Sequence, residues 1–206
     1  MQREESLTER QSLELIESMI SKARNDFSEN GHLYLLWGWV VLICSLGQFI
    51  LSSVIHYKYH YAIWLLTWMA IIYQTIYLVR TRRKRNVKTY TDALIGYVWM
   101  SFMITMFLTG FGIGSKMGND TGRIINMLFL SLYGIPTFLS GIILRFKPLI
   151  VGGACCWTLS LIAAFTPSQY HLLLIGAATI TAWIVPGYLL RSKYKIQTQH
   201  ARKKTQ

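Results

Sequence analysis

The sequence predicts an all-α fold: a polytopic transmembrane bundle of six helices preceded by a short cytoplasmic amphipathic helix. Three observations lead there. Of 206 residues, 52% are hydrophobic and 15% charged, whereas a soluble domain carries about 25% charged residues. The nine acidic residues are confined: all but Asp92 and Asp120 lie before residue 30 (Glu4, Glu5, Glu9, Glu14, Glu17, Asp26, Glu29). From residue 33 onward, long uncharged apolar runs alternate with short polar breaks. This pattern excludes a soluble globular enzyme, a secreted disulfide scaffold and a disordered chain.

A membrane helix needs about 20 apolar residues. Six runs qualify: Leu33–Ile55, Tyr61–Val79, Ala93–Ile113, Ile124–Leu144, Leu149–Phe165 and Tyr170–Leu190. None contains Asp, Glu, Lys or Arg. Hydrocarbon offers no hydrogen bonds to bare peptide groups, so each run is predicted to be helical. A barrel is excluded, because its strands would alternate polar and apolar residues. The chain then divides into a cytoplasmic segment (1–32), a six-helix transmembrane domain (33–190) and a basic tail (191–206).

Basic residues set the orientation. The N-terminal segment, the 80–92 loop, the 145–148 turn and the tail hold 18 Lys and Arg; the 56–60, 114–123 and 166–169 loops hold 3. Both termini are therefore predicted to be cytoplasmic. The first 30 residues are polar and acidic, unlike a cleavable signal, so the first span is expected to act as its own insertion signal. The net charge of +12 does not imply nucleic-acid binding. The basic clusters at Arg80-Thr81-Arg82-Arg83-Lys84-Arg85 and Arg191-Ser192-Lys193-Tyr194-Lys195 abut span ends, where they hold topology and attract anionic headgroups of the lipid bilayer.

Residues 6–27 read as a helix. Ser6 and Glu9 have capping-box spacing. Leu13, Ile16, Ile20, Ala23 and Phe27 recur at helical intervals and form one apolar stripe. Two readings follow: a surface helix packed on the cytoplasmic ends of the bundle, or a stripe for docking a protein partner or a second copy in a homo-oligomer. The stripe covers about two heptads, too few for a stable isolated coiled coil. Its acidic bias also differs from a Lys- and Arg-rich membrane-surface helix.

Catalytic machinery is not recognisable. The spans contain no carboxylate for an ion-coupled transport mechanism, and Asp92 stands at the mouth of the third, where it can cap that helix. No GxSxG, HExxH or phosphate-cradling GxxxxGK[ST] motif occurs. The protein is read as a non-enzyme without a cofactor. His56 and His60 are four apart and share the outer side with His171; these three are the candidates for a metal site. No loop carboxylate stands by to orient them, and histidine is at home at span ends, so no metal is expected. Cys44, Cys155 and Cys156 all lie within spans; an odd number in apolar surroundings reads as packing.

Small and polar span residues are more informative. Gly38, Gly47, Gly134, Gly141, Gly152, Gly153 and Gly176 allow close helix approach. Pro136 in the fourth span and Pro186 in the sixth are candidate kinks. Gln48, Gln74 and Asn126 are the most polar side chains within the spans, and either line a polar path or hold helices together. Broken helices and inverted repeats occur in transporters, and Leu36-Trp37-Gly38 loosely echoes Leu132-Tyr133-Gly134. Trp37, Trp39, Tyr97 and Trp99 toward the inner ends, with Tyr57, Tyr59 and Tyr61 at the outer edge, read as interfacial belts.

Several segments together carry a resemblance. They are Glu17-Ser18-Met19-Ile20, Leu35-Leu36-Trp37-Gly38-Trp39, Val87-Lys88-Thr89-Tyr90, Leu132-Tyr133-Gly134-Ile135-Pro136-Thr137-Phe138, Phe146-Lys147-Pro148-Leu149 and Val185-Pro186-Gly187-Tyr188-Leu189-Leu190. Over nearly the whole chain this resembles a group of small six-span membrane proteins of Bacteroidota-type bacteria, whose function is uncharacterised. The resemblance implies an inner-membrane setting and carries no activity or site. Two function classes stay open: a membrane partner, scaffold or regulatory subunit, and a small uncoupled permease or carrier-like subunit for a neutral or lipidic solute.

Overall fold

A computed structural model describes residue 13 and residues 31–84, 90–116 and 121–193. Among the described residues the architecture is all-α, with six helices long and apolar enough to cross a membrane. The chain is an integral, multi-pass membrane protein. Helix α1 spans Gly31–Ser53. A 3-10 turn at His60–Trp64 leads into α2, Leu65–Lys84. Helices α3 (Tyr90–Lys116), α4 (Thr121–Ile143) and α5 (Lys147–Phe165) follow. Helix α6 starts at His171–Thr179, widens into a π-turn at Ile180–Ile184 and continues as α-helix over residues 185–193. Each coincides with a run read from the sequence, shifted by a few residues at its ends.

The bundle is unevenly packed. In its most apolar stretch α6 is 56% buried, whereas the span containing α2 is 6% buried. The centre is α6, packed between α1, α5 and α4; the densest pairing is α4 on α5. Helix α2 packs on α1 and α3 on α4, with no extensive contact between α2 and α3. Their outer faces carry Trp68, Met69, Phe107 and Phe111, all well exposed. Such residues would be anomalous in water and are expected against hydrocarbon.

Glycine sets the spacing of the central helices. A Cβ at Gly141 would lie 2.6 Å from the Ile150 backbone nitrogen, and one at Gly153 2.8 Å from the Phe138 nitrogen. These contacts are with backbone, so no side-chain movement relieves them. In a bilayer, helices attract mainly through close packing, and missing side chains let α4 and α5 approach. Trp157 and Ser160 of α5 then donate to the Ser131 and Met127 carbonyls of α4, at 3.1 and 2.9 Å.

Of the N-terminal stripe, Leu13 is helical and 66% exposed; Ile16, Ile20, Ala23 and Phe27 lie outside the described residues, as does the tail beyond residue 193.

Candidate functional site

Two polar arrangements inside the apolar bundle have specific geometry. The first joins α1 to α2. Near one end of the pair, the Trp37 indole of α1 donates to Gln74 Oε1 of α2. Near the other, the Trp64 indole, just before α2, donates to Gln48 Oε1 of α1 at 2.5 Å. The arrangement is reciprocal: each helix end contributes one tryptophan donor and one glutamine acceptor. Gln48 goes further, with its Nε2 3.1 Å from His60 Nδ1. Beside it the Cys44 thiol donates to the Ile63 carbonyl at 3.4 Å, pinning the 3-10 turn. At the opposite end His32 Nε2 is 3.0 Å from the Tyr73 hydroxyl, and the imidazole packs 5.2 Å from the Tyr77 ring.

The second arrangement surrounds the π-turn. Trp183 is buried and its indole donates to Thr137 Oγ1 at 2.9 Å. Thr137, one residue after Pro136, donates in turn to the Tyr133 carbonyl at 2.8 Å. Around them Tyr34, Trp99, Phe102, Tyr133 and Trp183 form a chain of ring contacts with centroids 5.0–6.0 Å apart. The Tyr34 and Ser140 hydroxyls are buried near each other, and neither makes a hydrogen bond of standard geometry. The π-turn itself is held on two sides. A Cβ at Gly38 of α1 would lie 2.7 Å from Ile184, and one at Gly152 of α5 2.6 Å from the Ala182 Cα.

Pro186 accounts for where the wide turn falls. Its ring cannot donate to the carbonyl four residues back and would collide with it. The preceding residue, Val185, reaches back to the Ile180 carbonyl instead. The fourth span takes Pro136 without leaving the helix: α4 continues unbroken across it. π-turns are uncommon and concentrate at functional sites. This one lies where α1, α4, α5 and α6 meet.

Gln48 and Gln74 are both in helix contacts with tryptophan, at opposite ends of one helix pair. Asn126 is half-buried on α4 and shares no hydrogen bond with either. His56, at φ 54°, approaches its own loop through the Val54 carbonyl. His60 accepts from Gln48, and buried His171 donates from Nε2 to the Thr166 carbonyl, leaving Nδ1 unpartnered. Among the described residues no three His, Cys, Asp or Glu side chains gather as a metal site. The tryptophan donors and the Tyr34–Ser140 pair escaped sequence reading. Trp37 and Trp99 look like belt residues there, because periodicity says nothing about which indole meets an acceptor. The available signal was a Trp followed by a Gln 11 residues on, 37 to 48, and another followed 10 residues on, 64 to 74, on consecutive spans.

Compared with known proteins, the chain matches no family model, no curated protein and no solved structure.

Proposed function

We propose that this chain is a non-enzymatic membrane partner, a scaffold or regulatory subunit of an inner-membrane assembly, with both termini in the cytoplasm. The observation that carries the reading is the engagement of Gln48 and Gln74 by tryptophan donors. Side chains that would suit a polar path instead hold α2 to α1. The reading places recognition outside the bundle, on the helical stripe that begins at exposed Leu13 and continues in sequence through Ile16, Ile20 and Phe27. The basic loops hold the cytoplasmic side against anionic lipid. Either a different protein or a second copy would cover the stripe.

The test is purification of the full chain from its own membranes in mild detergent, beside a variant carrying Leu13→Asp, Ile16→Asp and Ile20→Asp. The reading expects a stoichiometric companion or a discrete homo-oligomer with the unaltered chain, lost in the variant at equal membrane abundance. A chain that runs as a lone monomer, or a companion retained by the variant, contradicts it.

One observation favours the permease reading: the buried Tyr34 and Ser140 hydroxyls beside the π-turn aromatic cluster, neither with a hydrogen bond of standard geometry. On that reading, Tyr34→Phe with Ser140→Ala would change the leak of small neutral solutes from proteoliposomes. The partner reading expects no change.

A further inference from the structure

We propose that His60, Gln48 and Trp64 form an acid-sensitive latch, which releases the start of the second span from α1 when His60 takes up a proton. The inference goes beyond the partner reading and does not depend on it.

An indole N–H only donates, so the Gln48 atom that meets Trp64 is Oε1. The amide nitrogen then faces His60 Nδ1. That nitrogen carries two donors, so Nδ1 has to accept. His60 is therefore neutral, with its proton on Nε2. Protonation would set an N–H on Nδ1 against the Gln48 NH2. Flipping the amide would restore that bond and lose the other, because Nε2 would then face the Trp64 indole. With Oε1 on Trp64 and Nε2 toward His60, Gln48 does not serve Trp64 and a charged His60 together; accepting from both through Oε1 would require the side chain to leave its present position.

The surroundings offer no rescue among the described residues. From the 3-10 turn, Tyr61 packs with its ring 5.9 Å from the imidazole. Lys58 reaches over the Tyr59 ring, adding positive charge to the same loop. From α1 the neighbouring titratable group is Cys44, bonded to Ile63. The other end of the α1–α2 pair behaves differently. His32 meets the Tyr73 hydroxyl, which can donate or accept, so a bond survives in either charge state. Helix α2 contributes little buried surface; Trp37–Gln74 and His32–Tyr73 tie its far end to α1, and Trp64–Gln48 ties the turn that leads into it. Loss of one loosens one end only. Histidine is the side chain whose charge changes between about pH 5 and 8. The basic-residue count assigns this end to the outer face, so the latch would respond to acid outside the cell.

The experiment uses the full 15N-labelled chain in detergent micelles, followed through the Trp64 indole N–H resonance, assigned by Trp64→Phe. Lowering the pH from about 8 to about 5 should shift that resonance in the unaltered protein. His60→Asn keeps an acceptor near the Nδ1 position at every pH and should abolish the shift, with His32, His56 and His171 left in place. Gln48→Leu should give the shifted resonance at both pH values. An equal response in the unaltered protein and His60→Asn would overturn the proposal. The 15N signals of the His60 ring in the unaltered protein give a second reading that needs no folded variant. A proton on Nε2 at the higher pH supports the latch, and a proton on Nδ1 overturns it.

Discussion

Trp37 and Trp64 show what a hydrogen bond does where water is excluded. An indole N–H left bare in hydrocarbon has no solvent to turn to, and an amide oxygen in reach becomes its natural partner. Interhelical bonds of this kind contribute about 0.6 kcal/mol, up to about 1.7, in membrane proteins. A double-mutant cycle on Trp37→Phe and Gln74→Leu should therefore give a coupling of about 0.6–1.7 kcal/mol by reversible unfolding in mixed micelles. Additivity would remove the bond from the account. Gly141 is governed by a harder constraint. Valine there would meet the Ile150 backbone, and overpacking costs about 1–3 kcal/mol; Gly141→Val should lie at the upper end. Gly112 has nothing within 4 Å of a Cβ, so Gly112→Ala should leave thermal stability unchanged or slightly raised. The sequence distinguishes these residues poorly. Glycine spacing identifies candidates for close approach, but which of them faces a neighbour depends on helix rotation, and no charged face is present to reveal it.

At the scale of elements, the spans were legible because length and the absence of charge suffice to define them. All six runs became helices within a few residues of their expected ends. Two features were not legible. The 3-10 turn at His60–Trp64 straddles the start of an apolar run and is not set off from it by a break in composition. The π-turn at Ile180–Ile184 is marked in sequence only by Pro186 downstream, and Pro136, with the same chemistry, leaves α4 helical throughout. Gly38 and Gly152 pack directly on the wider backbone of the π-turn. Uneven packing carries a dynamic consequence, since regions with few buried contacts open first. Amide exchange in nanodiscs should show α2 (Leu65–Lys84) exchanging faster than α4 and α5. Uniform protection across the spans would contradict the packing described.

At the scale of the whole molecule, the six spans form an even set, and the ends meet accordingly. A Cβ at Gly31, at the start of α1, would lie 3.4 Å from Leu190 of α6. Lys193 lies over the Phe146 ring in the α4–α5 turn. Both of these ends fall on the side to which the positions of the spans in the sequence assign 18 of the 21 basic residues. Charge alone predicts this side to be cytoplasmic. Reporter fusions at residues 86, 146 and 195 should read as cytoplasmic, and those at 57, 118 and 167 as external; the opposite pattern would reverse the topology.

The solvent around the middle of the chain is the premise under every scale. Trp68, Met69, Phe107 and Phe111 sit on the outside because acyl chains, not water, surround them. Membranes bearing the protein can be washed at alkaline pH and high salt, then extracted with and without detergent. The account predicts that the chain stays in the membrane pellet through the wash and leaves it only in detergent. Recovery in the aqueous wash as a folded monomer would contradict it.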